Sequence, residues 1–214
     1  MKEARELAGL IVQAANWYRK PAHEQYTPPQ VPVYDTTAAR LTGRRAFGKL
    51  LVEHFLPEEP GVTLEIAAGT GLISEALASR IDPEQLFLSD TAPAALALLW
   101  KRLSQHAQVL YADFFNLPFA DMFVNTLICV GGYRYVDTSQ TEAFWSEMNR
   151  ILAPGATGIF AEFHPIIRRI SGNQLRGYVL PHNMSLITQA TAVSHEELFG
   201  IPSGRYIISV IRKK

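Results

Sequence analysis

Residues 63–78 read TLEIAAGTGLISEALA, and this stretch decides the fold. Its apolar start with one acid, Glu65, is typical of a buried strand, and its second half returns to helical spacing. The residues between, 67–71, carry almost no side-chain atoms. Glycine lets another molecule approach the backbone, and the free N–H groups at a helix start attract polar ligand atoms. The stretch therefore predicts a strand, a ligand-binding loop and a helix.

The alternation of strand and helix continues along the chain. The predicted strands are residues 62–67, 85–89, 108–111, 124–130 and 158–163, and the predicted helices between them are residues 71–79, 92–105 and 139–152. Repeated strand–helix–strand units predict a doubly wound, mainly parallel sheet with helices on both faces. Two further strands, residues 184–192 and 205–212, have no helical pattern between them, so we expect a C-terminal antiparallel pair. The predicted fold class is therefore α/β with a seven-stranded sheet.

The residues before this sheet are predicted to form a helical cap. Helical spacing covers residues 3–18 and again residues 37–55. Residues 21–34 contain four prolines, so they are predicted to be a linker or covering loop without a regular element. We expect a single domain over the whole chain with two parts, the N-terminal cap and linker of residues 1–36 and the core of residues 37–214.

Composition excludes several classes of function. The chain of 214 residues has 20 basic and 20 acidic residues, so no net field points to nucleic acid, and we predict none as a partner. No apolar stretch approaches the roughly 20 residues of a membrane helix, and the N-terminus lacks the pattern of a signal peptide. Cys129 is the only cysteine, and the six histidines lack metal-ligand spacing. We expect a cytoplasmic protein without a membrane span or a metal.

A second acid helps to identify the ligand. Asp90 ends the second predicted strand, nineteen residues after Gly71, where a carboxylate can accept hydrogen bonds from ribose hydroxyls. It could also cap the helix that starts near residue 92. The ligand is then a dinucleotide or S-adenosylmethionine. Glu65 favours the second, because a carboxylate suits a cationic ligand better than a pyrophosphate, and Ser74 replaces the third glycine of the dinucleotide motif.

The motifs together resemble a known family. GVTLEIAAGTGLISEALA is similar to the first motif of the class I S-adenosylmethionine-dependent methyltransferases, of the small-molecule type found in quinone-biosynthesis C-methyltransferases, with Ala67 in place of the first glycine. LFLSDTAPAAL, VLYADFFNLPF and NTLICVGGYRYVD resemble the second, third and fourth strand motifs. The resemblance implies S-adenosyl-L-methionine as cofactor. With Tyr34, which is placed to close over it, the expected cofactor contacts are Glu65, Ala67, Gly69, Gly71, Asp90, Thr91, Asp113, Phe114 and Val130.

The acceptor side of the site is less defined. Related enzymes often carry two histidines where this chain has Arg134 and Tyr135. The ring of Tyr135 is predicted to face the sulfonium through a cation–π contact, or else to serve packing. His164, directly after the fifth predicted strand, is a candidate base or a surface histidine. Gly131-Gly132 indicates close approach by ligand or substrate, with a flexible strand exit as the alternative.

The sequence thus predicts an S-adenosylmethionine-dependent enzyme. It would transfer a methyl group by in-line displacement to a small, hydrophobic or aromatic metabolite, as a monomer or homodimer. Three alternatives stay open: a binding protein of the same fold without catalysis, an enzyme of non-methylating chemistry such as a cyclisation, and a nicotinamide-dependent oxidoreductase. Cofactor titration separates the last of these from the others.

Overall fold

A seven-stranded sheet forms the centre of the protein. The computed structural model describes residues 9, 12, 16, 22–35, 42–164, 172–198 and 201–214. The strands are β1 (Thr63–Ile66), β2 (Leu86–Asp90), β3 (Gln108–Tyr111), β4 (Val124–Val130), β5 (Leu152–His164), β6 (Met184–Leu198) and β7 (Ile201–Lys213), in the order β3-β2-β1-β4-β5-β7-β6. Strands β1 to β5 are parallel, and β7 pairs antiparallel with both β5 and β6. The predicted fold class is confirmed.

Helices cover both faces of the sheet. They are α1 (Ala22–Gln25), α2 (Val31–Val33), α3 (Arg44–His54), α4 (Ser74–Ala78), α5 (Pro93–Leu103), α6 (Thr141–Ile151) and α7 (Gly172–Val179), with 3₁₀ turns at Tyr133–Tyr135, Thr138–Gln140 and Leu180–His182. Helices α3, α4 and α5 bury apolar side chains with Leu88 and Ile128 on one face. Helices α6 and α7 pack with Leu127 and Phe160 on the other. Each face therefore has its own apolar core, as a doubly wound sheet requires.

The strand order sets the place of the site. From β1 the chain continues to β2 and β3 on one side, and then crosses to β4 and β5 on the other. In open parallel sheets ligands bind beyond the carboxyl ends of the strands at such a switch point. Residue pairs such as Glu65 with Ile128 in β4 place the ends of β1 and β4 side by side. The loops after β1, β2 and β4 therefore meet at one edge.

The N-terminal part differs from the sequence prediction. Residues 21–34 were expected to lack regular structure, yet they contain α1 and α2. Pro32 lies in the first turn of α2, where its fixed φ suits a helix and its missing N–H would have had no partner. The predicted helix over 3–18 lies almost entirely outside the described residues. Of the helix predicted over 37–55, α3 accounts for the part after Gly43, whose φ is +60°.

Two strand boundaries also differ. β5 begins at Leu152, six residues before its predicted start, and its register with β4 shifts between Val124 and Thr126. Gly155 takes a φ of +77° there, so the strand passes through an irregularity that periodicity does not show. The described residues between the two predicted C-terminal strands are strand as well, because β6 and β7 stay paired as far as Leu198 and Ile201.

Candidate functional site

A cavity opens at the carboxyl edge of the sheet. Its volume is about 470 Å³, and it lies where the loops after β1, β2, β3 and β4 meet the segment before α3. Nine residues selected from the sequence line it: Tyr34, Glu65, Ala67, Gly69, Asp90, Thr91, Phe114, Val130 and Tyr135. The structure therefore brings together most of the predicted site, from elements far apart in the chain.

The loop after β1 has an unusual backbone. Ala67, Gly69 and Gly71 have φ values of +53°, +59° and +87°. A Cβ added to Gly69 would meet no described atom within 4 Å, so this loop leaves room for a ligand beside its backbone. Gly71 differs, because an added Cβ would lie 2.7 Å from Cδ1 of Leu99 in α5. Gly71 was expected to contact the cofactor, but it does not line the cavity and instead lets α5 pack closely.

Asp90 organises the same loop. Its Oδ2 accepts a hydrogen bond of 2.8 Å from the N–H of Gly69, and its Oδ1 accepts one of 2.8 Å from the N–H of Ala92. Burial raises the pKa of Asp90, and these backbone hydrogen bonds oppose that rise. Each carboxylate oxygen has a further acceptor position, so a ribose hydroxyl could bind there as well. Through the hydrogen bond from Ala92, Asp90 also binds the backbone at the start of α5. Asp90 can do this and still accept hydrogen bonds from a ribose.

Glu65 is a buried acid beside the cavity. Only 2% of the residue is exposed, and its Oε2 accepts a hydrogen bond of 2.5 Å from Ser74 Oγ. Burial raises the pKa of Glu65 to about 8, although the hydrogen bond from Ser74 and the charge of Arg44 act in the opposite direction. The nearby charge of Asp90 raises it further. A cation in the cavity would favour the ionised form of Glu65, so the site suits a positively charged ligand.

Arg44 is a site residue that the sequence prediction missed. It is 7% exposed, lines the cavity, and donates from Nη1 to the carbonyl oxygen of Val130 at 3.1 Å. A Cβ added to Gly131 would lie 2.7 Å from Arg44 Nη2. The sequence offers only an arginine at the start of an amphipathic helix, which is an ordinary surface pattern. Its role depends on a contact with β4, 86 residues further along the chain.

Gly131 and Gly132 have a packing role. They were interpreted as a place where ligand or substrate approaches the backbone. A Cβ added to Gly132 would instead lie 2.6 Å from Ala67 Cβ and 2.9 Å from Cys129 Sγ. Arg44 lies beside Gly131 in the same way, but Gly131 also lines the cavity, so approach of a ligand at Gly131 stays a prediction. Gly132 therefore lets the loop after β4 pack against the loop after β1, and Gly131 leaves room for the Arg44 side chain.

Replacing Gly132 with alanine is expected to lower the free energy of unfolding by about 1–3 kcal/mol, the usual cost of overpacking. The φ of Gly132 is −86°, which alanine adopts freely, so the loss reports the contacts alone. The measurement is urea unfolding. Gly177→Ala in α7 is the matched control, because an added Cβ there meets no described atom within 4 Å. Equal stability of Gly132→Ala and the wild type would contradict this packing, and adding Ala67→Gly should restore part of the loss.

The cap lies over the cavity. We call residues 22–35 the cap segment. The rings of Tyr26 and Tyr34 lie 5.6 Å apart between centroids, and both residues line the cavity. Burial raises the pKa of Tyr26 well above its usual value, and the nearby Tyr34, Tyr135 and Asp90 act in the same direction. The hydroxyl of Tyr135 donates to Gln25 Oε1 at 2.6 Å, so the cap segment is joined to the loop after β4.

Two predicted residues have other surroundings. Asp113 is exposed and does not line the cavity, and its Oδ1 accepts a hydrogen bond of 3.0 Å from the N–H of Phe115. Asp113 thus caps a turn, although the resemblance implied a contact with the cofactor, while its neighbours Ala112 and Phe114 do line the cavity. His164 is the last residue of β5 and lies opposite Arg205 of β7. Its role as a base stays a prediction.

Glu162 in β5 is a further acid with buried carboxylate oxygens, and the sequence prediction did not identify it. Neither oxygen of Glu162 accepts a hydrogen bond from a residue that the structure describes, although backbone N–H groups of Tyr133 and Arg134 lie near. Burial raises the pKa of Glu162 to about 7, while the charges of Arg44 and Arg134 lower it. Burial also raises the pKa of the Cys129 thiol, which keeps the sulfur in its protonated, weakly nucleophilic form.

The described residues contain neither a cluster of metal ligands nor a membrane-spanning helix. Among them, no three His, Cys, Asp or Glu side chains are placed to hold one metal ion. Nor does the described part of the chain contain a helix with the length and apolar character needed to cross a membrane.

Known proteins resemble this chain in sequence. Residues 63–155 match the family model of a methyltransferase domain. The ubiquinone/menaquinone biosynthesis C-methyltransferase UbiE of Neisseria meningitidis is 33% identical over 113 residues, which are 51% of this chain and 45% of that protein. The chain thus matches about half the length of this curated relative.

Solved structures share the fold. An S-adenosylmethionine-dependent methyltransferase of Thermotoga maritima, described as a possible histamine N-methyltransferase, has a TM-score of 0.64 at 21% identity, over 85% of this chain and 96% of that chain. Magnesium protoporphyrin IX methyltransferase of Synechocystis, with bound S-adenosylmethionine, has a TM-score of 0.60 at 14% identity, over 80% of this chain and 80% of that chain. The likeness extends across most of the chain in both cases.

Proposed function

Because the chain belongs to the class I S-adenosylmethionine-dependent methyltransferases, we propose that it transfers a methyl group to a small, hydrophobic or aromatic metabolite. One observation carries this proposal: two acids whose pKa is raised by burial, Glu65 and Asp90, flank an open backbone loop in a single cavity. S-adenosylmethionine supplies a methyl group activated by a cationic sulfur, and the acceptor would attack it in line with the leaving sulfur.

Each end of the cavity has residues suited to one part of the cofactor. Asp90 would accept hydrogen bonds from the ribose hydroxyls, and Phe114 would lie against the adenine. Glu65 would become ionised and offset the positive charge of the methionine end. The open side of Gly69 lets the ligand approach the main chain. In this arrangement the polar groups orient the cofactor, and the other residues that line the cavity would contact the methyl acceptor.

The cap segment supports an apolar acceptor. Tyr26, Tyr34 and Tyr135 bring three aromatic rings to the cavity, and such rings suit flat or apolar metabolites. The curated relative has a name that refers to quinone biosynthesis, which agrees with an aromatic acceptor. The hydroxyl of Tyr135 donates to Gln25, and the guanidinium of Arg134 lies 5.0 Å from the centre of its ring. We therefore assign Tyr135 to shaping the acceptor side.

Catalysis would rest mainly on position. Holding two reactants in line can supply about 7–11 kcal/mol of the barrier in favourable cases, so a base is required only for acceptors with a high pKa. His164 remains the proposed base, because it ends β5 at the edge where the cavity opens. The proposed setting is the cytoplasm, with the protein acting as a monomer or homodimer.

The proposed function predicts two results that can be measured separately. Isothermal titration calorimetry should show binding of S-adenosylmethionine and S-adenosylhomocysteine, and no binding of NADH. Incubation with a panel of phenols, quinols and aliphatic amines should produce S-adenosylhomocysteine with the aromatic members, detected by mass spectrometry. Binding of NADH alone would overturn the cofactor assignment. Binding of S-adenosylmethionine with product formed but no cofactor consumed would instead favour non-methylating chemistry.

A further inference from the structure

Three residues join the cap segment to the loop after β1. We propose that Asp35, Thr70 and Arg102 form a latch that holds the cap closed and limits the rate at which S-adenosylmethionine and S-adenosylhomocysteine leave. This inference rests on the proposed function, because it concerns the ligand of the same cavity. It assigns to Arg102 and Asp35 a positioning role that the motifs of the sequence do not indicate.

The contacts of the latch form a closed ring. Thr70 Oγ1 donates to Asp35 Oδ1 at 2.5 Å, and Arg102 Nη1 donates to the carbonyl oxygen of Thr70 at 2.5 Å. Arg102 Nη2 donates to Asp35 Oδ2. One guanidinium therefore binds both the cap and the loop after β1. Hydrogen bonds between charged groups are stronger than neutral ones, so this ring is a substantial restraint.

The latch is largely shielded from water. Thr70 is 1% exposed, and the side chains of Asp35 and Arg102 are 12% and 24% exposed. Ion pairs on open surfaces contribute little, because water screens them and the side chains move. The limited exposure of this pair keeps its charges less screened. It also means that opening must separate charges that then need water.

The latch connects the cap segment to a helix that is packed on the core. Arg102 lies in the last turn of α5, and Leu99 and Leu103 of that helix are buried against the core. Asp35 directly follows Tyr34, whose ring lines the cavity. Breaking the ring of contacts would therefore free the end of the cap segment that covers the cavity. Glu75 of α4 lies 3.6 Å from Arg102 Nε and keeps the guanidinium in place after the cap leaves.

The arrangement couples the cap to ligand binding. Thr70 stands between Gly69 and Gly71, so the same loop that would touch the ligand also holds Asp35. A ligand that fixes this loop also fixes the partners of Asp35, so binding and closure would favour each other. We therefore expect the latch to act on the dissociation rate more than on the association rate.

The test compares dissociation of S-adenosylhomocysteine from the wild type, Arg102→Ala, Asp35→Asn and Arg45→Ala. Arg45 is the matched control, because it pairs with the same Glu75 at 2.9 Å but its side chain is 48% exposed, and its described hydrogen bond and ion pair are with Glu75 and not with the cap segment. Losing charged hydrogen bonds should raise the dissociation rate about ten- to a hundredfold in Arg102→Ala and somewhat less in Asp35→Asn. Arg45→Ala should match the wild type. The rates come from surface plasmon resonance.

Two additional readouts separate a latch from a general loss of structure. Arg102→Lys should restore part of the effect, since lysine keeps the charge but cannot bind Asp35 and Thr70 as a fork. Hydrogen exchange of the amides of residues 22–35 should accelerate in Arg102→Ala, while exchange in β4 should not. If Arg102→Ala does not fold, Asp35→Asn carries the test. A wild type that binds S-adenosylhomocysteine, with variants that release it at the same rate, would overturn the latch alone. A wild type that does not bind it would overturn the proposed function and the latch together.

Discussion

Replacing Asp90 with alanine is expected to weaken the binding of S-adenosylhomocysteine about 100-fold, because two hydrogen bonds to a charged acceptor would be lost. The structure adds a second reason. The Asp90 carboxylate accepts hydrogen bonds from the N–H groups of Gly69 and Ala92, so its removal also loosens the loop that touches the ligand. Asp90→Asn should give an intermediate loss, since an amide keeps one acceptor oxygen but no charge.

The matched control is another acid that follows a neighbouring strand. Asp113→Ala removes an exposed carboxylate that accepts only the N–H of Phe115 among the contacts described, so affinity should change less than about threefold. Calorimetry gives the affinities, and thermal unfolding checks that every variant is folded. Unchanged affinity in Asp90→Ala would refute the ribose role. A large loss in Asp113→Ala would support the cofactor contact that the sequence resemblance implied.

Replacing Glu65 with glutamine is expected to stabilise the ligand-free protein at alkaline pH while it weakens cofactor binding. The pKa of Glu65 is about 8 in the folded protein, against an ordinary value of 4.5. In the unfolded chain the carboxyl loses its proton near pH 4.5, but in the folded protein only near pH 8, so wild-type stability falls across this range. One pKa unit corresponds to about 1.4 kcal/mol, so the variant should gain a few kcal/mol above pH 8.

Urea unfolding at pH 5 and pH 9 measures this gain. The variant and the wild type should be close in stability at pH 5, and the variant should be clearly more stable at pH 9. Affinity should show the opposite effect: cofactor binding by the wild type should strengthen as the pH rises towards 8, while the variant should bind weakly throughout. Glu162→Gln is the control, because Glu162 is also buried with a pKa near 7 but does not line the cavity. Equal unfolding profiles for Glu65→Gln and wild type would show that the buried acid is ionised.

Periodicity was sufficient to predict the sheet. Five of the seven residues of β4 are apolar, and six of the seven are buried. Its predicted and observed boundaries agree. The start of β5 could not be predicted, because the irregularity near Gly155 breaks the pattern before the pairing with β4 resumes. The sequence of the cap segment shows no regular spacing of apolar residues. Its conformation depends on contacts such as Gln25 with Tyr135, and proline content alone gave the wrong expectation.

The candidate site was predictable where spacing reflects the backbone path. Glu65 lies one residue before the end of β1, and Asp90 is the last residue of β2, its parallel neighbour, so their positions in the sequence place both near one edge. Gly71 was assigned to the cofactor because a glycine in a loop does not reveal what approaches it, and here Leu99 does. Arg44 and Arg102 were missed because both are common helix residues whose partners lie far away in the sequence.

The position of β7 has a consequence for synthesis of the chain. β7 is translated after β6, yet it lies between β5 and β6 in the sheet. While the ribosome is still making β7, β6 has no place to pair, and β5 presents an open edge to the surroundings. The final sheet must therefore close after translation of this hairpin, which makes folding depend on contacts formed late. We expect nascent chains that stop before residue 201 to hold an unpaired strand edge that chaperones can bind.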